Sequence, residues 1–139
     1  MPMRATRTYV VNWGDCDPAD IVYYPNFYRW FDDATWAMLA AHGITRAVFD
    51  AKYKVPGAPL VETQARYLVP CRQGDVLTIE SRVAKVERKT FVVEHRILNG
   101  GKTAVEGHEV RVWAGRHPDD PTRLKAWEIP AEVRALLEG

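Results

Sequence analysis

The spacing of apolar residues changes period once along this chain, and that switch limits its possible folds more than any other feature. Between Pro25 and Gly43, Phe27, Trp30, Phe31, Ala34, Met38 and Ala41 recur at steps of three and four, the repeat of one helix face. Pro25 suits a first helical position and Gly43 supplies a stop, so the spacing predicts one long helix with a wide aromatic stripe facing a sheet. From Leu60 onward the period falls to two. Val61, Thr63, Ala65, Tyr67 and Val69 share one strand face before Pro70, and Leu77, Ile79, Ser81 and Val83 share the next. Phe91, Val93, His95 and Ile97 follow a turn at Glu87-Arg88-Lys89. Asn99-Gly100-Gly101 is strong hairpin chemistry. On the return strand Ala104, Glu106, His108, Val110 and Val112 alternate with Thr103, Val105, Gly107, Glu109, Arg111 and Trp113.

Before the helix, Tyr9, Val11 and Trp13 predict a strand over Arg7 to Trp13, entering a loop from Gly14 to Asp20. Pro130 opens a short last helix that ends at Leu136 and Leu137, and Arg116 to Pro121 reads as an exposed loop. One long early helix followed by four strands on short turns argues an α+β domain, an antiparallel sheet with the helix on one face. Its 139 residues make a single domain over 1–139, long enough to bury roughly 68% of the unfolded surface.

Several function classes lose their signatures. Nineteen Lys and Arg against eighteen Asp and Glu leave a net charge of +1, without the basic excess of a nucleic-acid binder. The longest apolar stretch, Trp36 to Ala41, is far below the roughly 18 residues of a membrane span. No apolar segment follows the first charges, which leads us to expect a cytoplasmic protein with Cys16 and Cys71 as free thiols. Ser81 is the sole serine and lacks flanking glycines, so a serine hydrolase is excluded. Neither a phosphate-cradling glycine loop nor a zinc spacing is present.

Three carboxylates, Asp15, Asp17 and Asp20, precede the long helix. One reading is structural: they cap the loop and favour the helix dipole, each contributing a few tenths to about 1 kcal/mol. The other is catalytic, because a helix N-terminus accepts the charge that develops on a carbonyl oxygen in acyl transfer, while a nearby carboxylate acts as nucleophile or base. An Asp-x-Asp metal site would need further oxygen ligands, and no metal is expected. Cys16 lies between two anions, which disfavours a thiolate.

Gly14-Asp-Cys-Asp-Pro-Ala-Asp-Ile-Val-Tyr-Tyr-Pro-Asn-Phe-Tyr-Arg-Trp-Phe-Asp32 resembles the signature of the 4-hydroxybenzoyl-CoA thioesterase family, which has the hotdog fold. Ala58-Pro-Leu-Val61, Asp75 to Glu80, Arg88 to Val92 and His108 to Val112 follow in the family's order, so the likeness covers most of the chain. It implies hydrolysis of an aromatic acyl-CoA, of 4-hydroxybenzoyl or benzoyl type, to the free acid and coenzyme A. Asp17 matches the catalytic carboxylate and the Tyr24 backbone N–H matches the oxyanion donor. Asp32 corresponds to the aryl end of the substrate, and Arg88 and Lys89 to a basic spot that meets the phosphates of coenzyme A. No cofactor is implied, because coenzyme A belongs to the substrate. The family also implies a homotetramer built from edge-to-edge dimers with sites at subunit interfaces; an exposed sheet edge independently disfavours a monomer. Asp20 departs from the pattern, which usually has Gly there.

Tyr23, Tyr24, Phe27 and Trp30 are candidate walls of a flat pocket, although Phe27 and Trp30 suit the core equally. A hotdog dehydratase or hydratase is the first alternative and would need His95 or His108 facing Asp17. A non-catalytic acyl-CoA-binding protein is the second.

Overall fold

The computed structural model describes residues 1–55 and 57–139. Five strands form one antiparallel sheet: β1 (Arg4–Val10), β2 (Leu60–Tyr67), β3 (Val76–Val86), β4 (Thr90–Asn99) and β5 (Lys102–Val112), in the order β1-β3-β4-β5-β2. The long helix α1 runs over Pro25–Ala41, with Pro25 in its first turn, as the spacing predicts. Two short helices, α2 (Arg46–Tyr53) and α3 (Ala131–Glu138), and a small hairpin of β6 (Ala114–Arg116) and β7 (Leu124–Ala126) complete the order. Gly100 and Gly101 both take positive φ, 59° and 80°, which fits the tight β4–β5 hairpin.

A row of small or polar residues lets α1 lie close to the sheet. Ser81 is paired with His95 and His95 with Gly107 across three adjacent strands. Phe31 from α1 is fully buried and stacks on His95, with ring centroids 4.8 Å apart and planes 9° from parallel. A Cβ at Gly107 would lie 2.6 Å from that ring, so only glycine admits the approach. Around Phe31, one core cluster gathers Val22, Phe27, Trp30, Leu77, Ile79 and Ile97. A second, toward the helix C-terminus, gathers Met38, Leu39, Phe49, Phe91, Val93 and Trp113.

Four expectations need correction. The first strand begins at Arg4 and ends at Val10, because Asp15 Oδ2 accepts from the Asn12 N–H at 2.8 Å and from the Tyr9 hydroxyl at 2.9 Å. This winds Trp13–Asp15 into a 3-10 turn and leaves Trp13 exposed. Ala41 is exposed, and Thr35 and Leu39 take their places in the buried stripe. Val61, Thr63 and Tyr67 are exposed too: β2 is an edge strand with a register shift between Leu60 and Glu62. Finally, α2 and the β6–β7 hairpin join the one-helix, four-strand plan; Thr45 caps α2 by accepting from the Val48 N–H at 3.3 Å. The exposed loop expected near Arg116 to Pro121 is the tip of that hairpin.

Candidate active site

The stretch from Asp15 to Tyr24 is folded by its own backbone into a compact lead-in to α1. Cys16 and Val22 form an antiparallel bridge, Asp17 N–H donates to the Ile21 carbonyl at 2.9 Å, and Asp20 N–H donates to the Asp17 carbonyl at 2.9 Å. Asp20 takes a left-handed φ of 63°, a conformation that Asp tolerates better than most residues other than Gly. The departure from the family's glycine is therefore accommodated without opening the turn. The loop is pinned to the rest of the protein by Val22 N–H on the Cys71 carbonyl at 2.8 Å and by the Arg72 guanidinium on the Asp20 carbonyl at 3.3 Å.

The three aspartates, alike in sequence, separate in three dimensions. Asp15 is buried; besides the contacts from Tyr9 and Asn12, its backbone carbonyl accepts from the Tyr23 N–H and the Asn26 side chain, both at 2.8 Å. The capping reading fits it. Asp17 is half-exposed, and its Oδ1 accepts from the Ala19 N–H at 2.8 Å while Oδ2 has no protein partner among the described residues. Asp20 is exposed.

At the start of α1 the helix leaves few amides free. Pro25 has no N–H, Asn26 donates to the Tyr23 carbonyl at 2.9 Å and Phe27 to the Tyr24 carbonyl at 3.1 Å. Among the described residues the Tyr24 N–H has no acceptor, and it sits at the positive end of a 17-residue helix. The Asp17 carboxylate and the Tyr24 amide thus share one loop–helix junction. Such a pairing can polarise a carbonyl while presenting a nucleophile or base to it.

Of the aromatic residues, Phe27 and Trp30 belong to the core, whereas Tyr23 and Tyr24 are about half exposed and meet edge to face at 5.5 Å. Tyr67 on the β2 edge packs 6.4 Å from Tyr24; burial first, then neighbouring Tyr28 and Tyr24, pushes its hydroxyl up to about 12.

Asp32 is drawn into a charged network that the sequence reading missed. Arg111, 2% exposed, donates from Nη2 to Asp32 Oδ1 at 2.6 Å and to Glu109 Oε2 at 2.9 Å. Its Nη1 reaches the Ala58 carbonyl at 2.9 Å. Glu109, 1% exposed, also meets Thr35 at 2.5 Å and His95 Nε2 at 3.0 Å. Burial alone would raise the Glu109 carboxyl, but hydrogen bonds from His95 and Arg111 and the Arg111 charge outweigh it and hold it at about 2. The signal was available: Glu109 and Arg111 share strand parity with Val105, Gly107 and Trp113, the face that is buried.

Neither histidine faces Asp17. His95 is fully enclosed, with Nδ1 on the Ser81 hydroxyl at 2.7 Å, and His108 lies 3.9 Å from Glu62. The dehydratase arrangement is thus not assembled in the protomer. Arg88 and Lys89 occupy the bend between β3 and β4, where the Arg88 guanidinium lies 3.6 Å from Glu128. That bend is at the opposite end of the sheet from the Asp17 loop, whose neighbour Val11 bonds to Asp75 just before β3. The length of β3 separates the two ends by roughly 33 Å, so one protomer does not bring the basic pair to Asp17.

Cys16 and Cys71 are unpaired, and burial pushes the Cys71 thiol up to about 11. No cluster of three metal-ligating side chains occurs among the described residues, and none of their helices is long and apolar enough to cross a membrane.

Residues 11–137 match the family model of the thioesterase-like superfamily. The 4-hydroxybenzoyl-CoA thioesterase of Pseudomonas sp. strain CBS-3 is 35% identical, the alignment covering 98% of this chain and 99% of that protein. The solved structure of 4-hydroxybenzoyl CoA thioesterase from that strain superposes with a TM-score of 0.88 at 32% identity, over 96% of this chain and 99% of that one. A gentisyl-coenzyme A thioesterase structure gives 0.81 at 32% identity, over 94% and 99%. The long helix against an antiparallel sheet is the hotdog fold, and by sequence and architecture together this chain belongs to the thioesterase-like superfamily.

Proposed function

We propose that this protein is an acyl-CoA thioester hydrolase acting on aromatic acyl groups of the 4-hydroxybenzoyl or benzoyl type, releasing the free acid and coenzyme A. The observation that carries the reading is the junction of a half-free Asp17 carboxylate with the unpaired Tyr24 amide at the head of α1. In the reaction the thioester oxygen accepts from the Tyr24 N–H, where the helix dipole favours the growing negative charge. Asp17 either attacks the carbonyl carbon, expelling coenzyme A as the thiolate and leaving a mixed anhydride that water cleaves to the free acid and the Asp17 carboxylate, or takes a proton from the water that attacks, that proton then passing to the departing thiolate. The chain's relatives support the aryl class: both similar enzymes named above act on hydroxylated aromatic thioesters. Asp32 stands on the helix that supplies the oxyanion amide, as an acceptor for a hydroxyl on the aryl ring. No cofactor takes part.

Arg88 and Lys89 are the proposed phosphate contacts of coenzyme A, by charge attraction. Their distance from Asp17 within one protomer supports a site shared between subunits of a homotetramer. The exposed β2 edge, with Leu60, Val61, Tyr67 and Leu68 uncovered, supports edge-to-edge dimers as its building block. A cytoplasmic place in aromatic degradation fits such a substrate.

The test is thiol release from 4-hydroxybenzoyl-, benzoyl-, phenylacetyl- and short aliphatic acyl-CoA. Turnover of the aryl thioesters ahead of the aliphatic ones is expected. Binding of acyl-CoA without release would instead establish the non-catalytic alternative.

A further inference from the structure

The buried charges under α1 call for an explanation that packing alone does not give. An Arg–Glu pair such as Arg111 and Glu109 is neutral and self-sufficient, yet the Arg111 guanidinium also crosses from β5 to α1 to hold Asp32. Every arm of the fork is used: Nη1 on Ala58, Nη2 on Asp32 and Glu109, and Nε on Glu109 Oε1 at 3.3 Å. Glu109 is itself fixed from the far side by Thr35 and His95, and His95 by Ser81. Arg111 therefore has little freedom to move. The Asp32 side chain is different, 45% exposed, with Oδ1 clamped and Oδ2 without a protein partner among the described residues.

We propose that Arg111 is a positioning residue for substrate selection: it locks one oxygen of Asp32, so that the other oxygen presents a fixed acceptor to a hydroxyl on the aryl ring. The inference rests on the thioesterase reading and on Asp32 meeting the aryl end. Its chemistry is specific. An oriented carboxylate acceptor favours a phenolic donor, gains nothing from a bare ring, and gains nothing from a methoxy group, which cannot donate. Lysine at 111 would keep the charge opposite Glu109 but lacks the planar fork that serves two carboxylates and a carbonyl together.

The experiment compares kcat/KM for 4-hydroxybenzoyl-CoA, 4-methoxybenzoyl-CoA and benzoyl-CoA in the wild type, Arg111→Lys, Asp32→Ala and the double variant. The wild type is expected to favour the hydroxylated substrate over both others. Arg111→Lys should cut that preference about tenfold, and in the Asp32→Ala background the same change should cut it no further, because both act on one contact. A loss in Arg111→Lys that is equal for all three substrates, or a further cut in the double variant, would overturn the proposal. Should Arg111→Lys fail to fold, the wild-type series still decides: hydrolysis of the three without hydroxyl preference refutes the inference while leaving the thioesterase reading intact. Wild-type silence on every aryl thioester refutes that reading, and this inference with it.

Discussion

Replacing Gly107 by alanine adds one methyl group at the tightest point of the fold. The new Cβ would lie 2.6 Å from two carbons of the Phe31 ring and 2.9 Å from a third. Ordinary carbon contacts need roughly 3.5 Å, so ring and strand must part by about 1 Å. The ring has no room to give: Phe31 is 0% exposed and lies flat on His95, whose two nitrogens are held by Ser81 and Glu109. Lifting α1 instead would stretch the Thr35 hydroxyl away from Glu109, one turn further along. Overpacking of this kind costs about 1 to 3 kcal/mol, and a strained buried hydrogen bond adds about 1 kcal/mol more. Alanine returns about 0.5 to 1 kcal/mol through a less flexible unfolded chain. The net expectation is a loss of about 1 to 3.5 kcal/mol, read from the urea midpoint at fixed protein concentration with an unchanged m-value. Phe31→Leu in the same chain should recover part of it. A Gly107→Ala midpoint within about 0.5 kcal/mol of wild type would refute the claim that this row of small residues sets the helix–sheet distance.

Two further outcomes follow from particular groups. Glu109 has its folded pKa depressed to about 2 against an unfolded value near 4.5, so its contribution is complete above pH 4.5 and is lost as pH falls toward 2. Urea titrations across that window should show wild-type stability falling with a slope about one proton steeper than Glu109→Gln; equal slopes would contradict the pairing. At Asp20, with φ at 63°, glycine should be within about 0.5 kcal/mol of wild type, whereas β-branched valine should cost about 1 to 2 kcal/mol in thermal unfolding. Equal tolerance of both would show that the turn is not held left-handed.

How much was legible in the sequence depended on whether the signal was local. The helix face from Phe27 to Met38 and the Asn99-Gly100-Gly101 turn carry their physics in adjacent residues, and both formed as read. The first strand was misplaced because Trp13 continues an alternation that the Asn12–Asp15 turn interrupts, and a side-chain-to-backbone bond leaves no trace in periodicity. Helix α2 buries only Phe49, too little apolar repetition to show. The site divides in the same way. Asp17 and Tyr24 lie in a continuous motif, so the resemblance found them together. Arg111 and Asp32 are 79 positions apart and meet only because β5 runs beneath α1. Strand parity marked Glu109 and Arg111 as sharing a face with Trp113, but which face is buried was decided by where the helix lies.

The most direct test of the central claim is single-turnover hydrolysis of 4-hydroxybenzoyl-CoA by Asp17→Asn beside the wild type, with thermal unfolding measured on both. Among the described residues the Asp17 carboxylate accepts only from the local Ala19 N–H, so the substitution should leave the unfolding temperature within about 2 °C. Release of coenzyme A should fall by at least about a hundredfold while the thioester still binds. Hydrolysis at the wild-type rate by a folded Asp17→Asn protein would contradict the account.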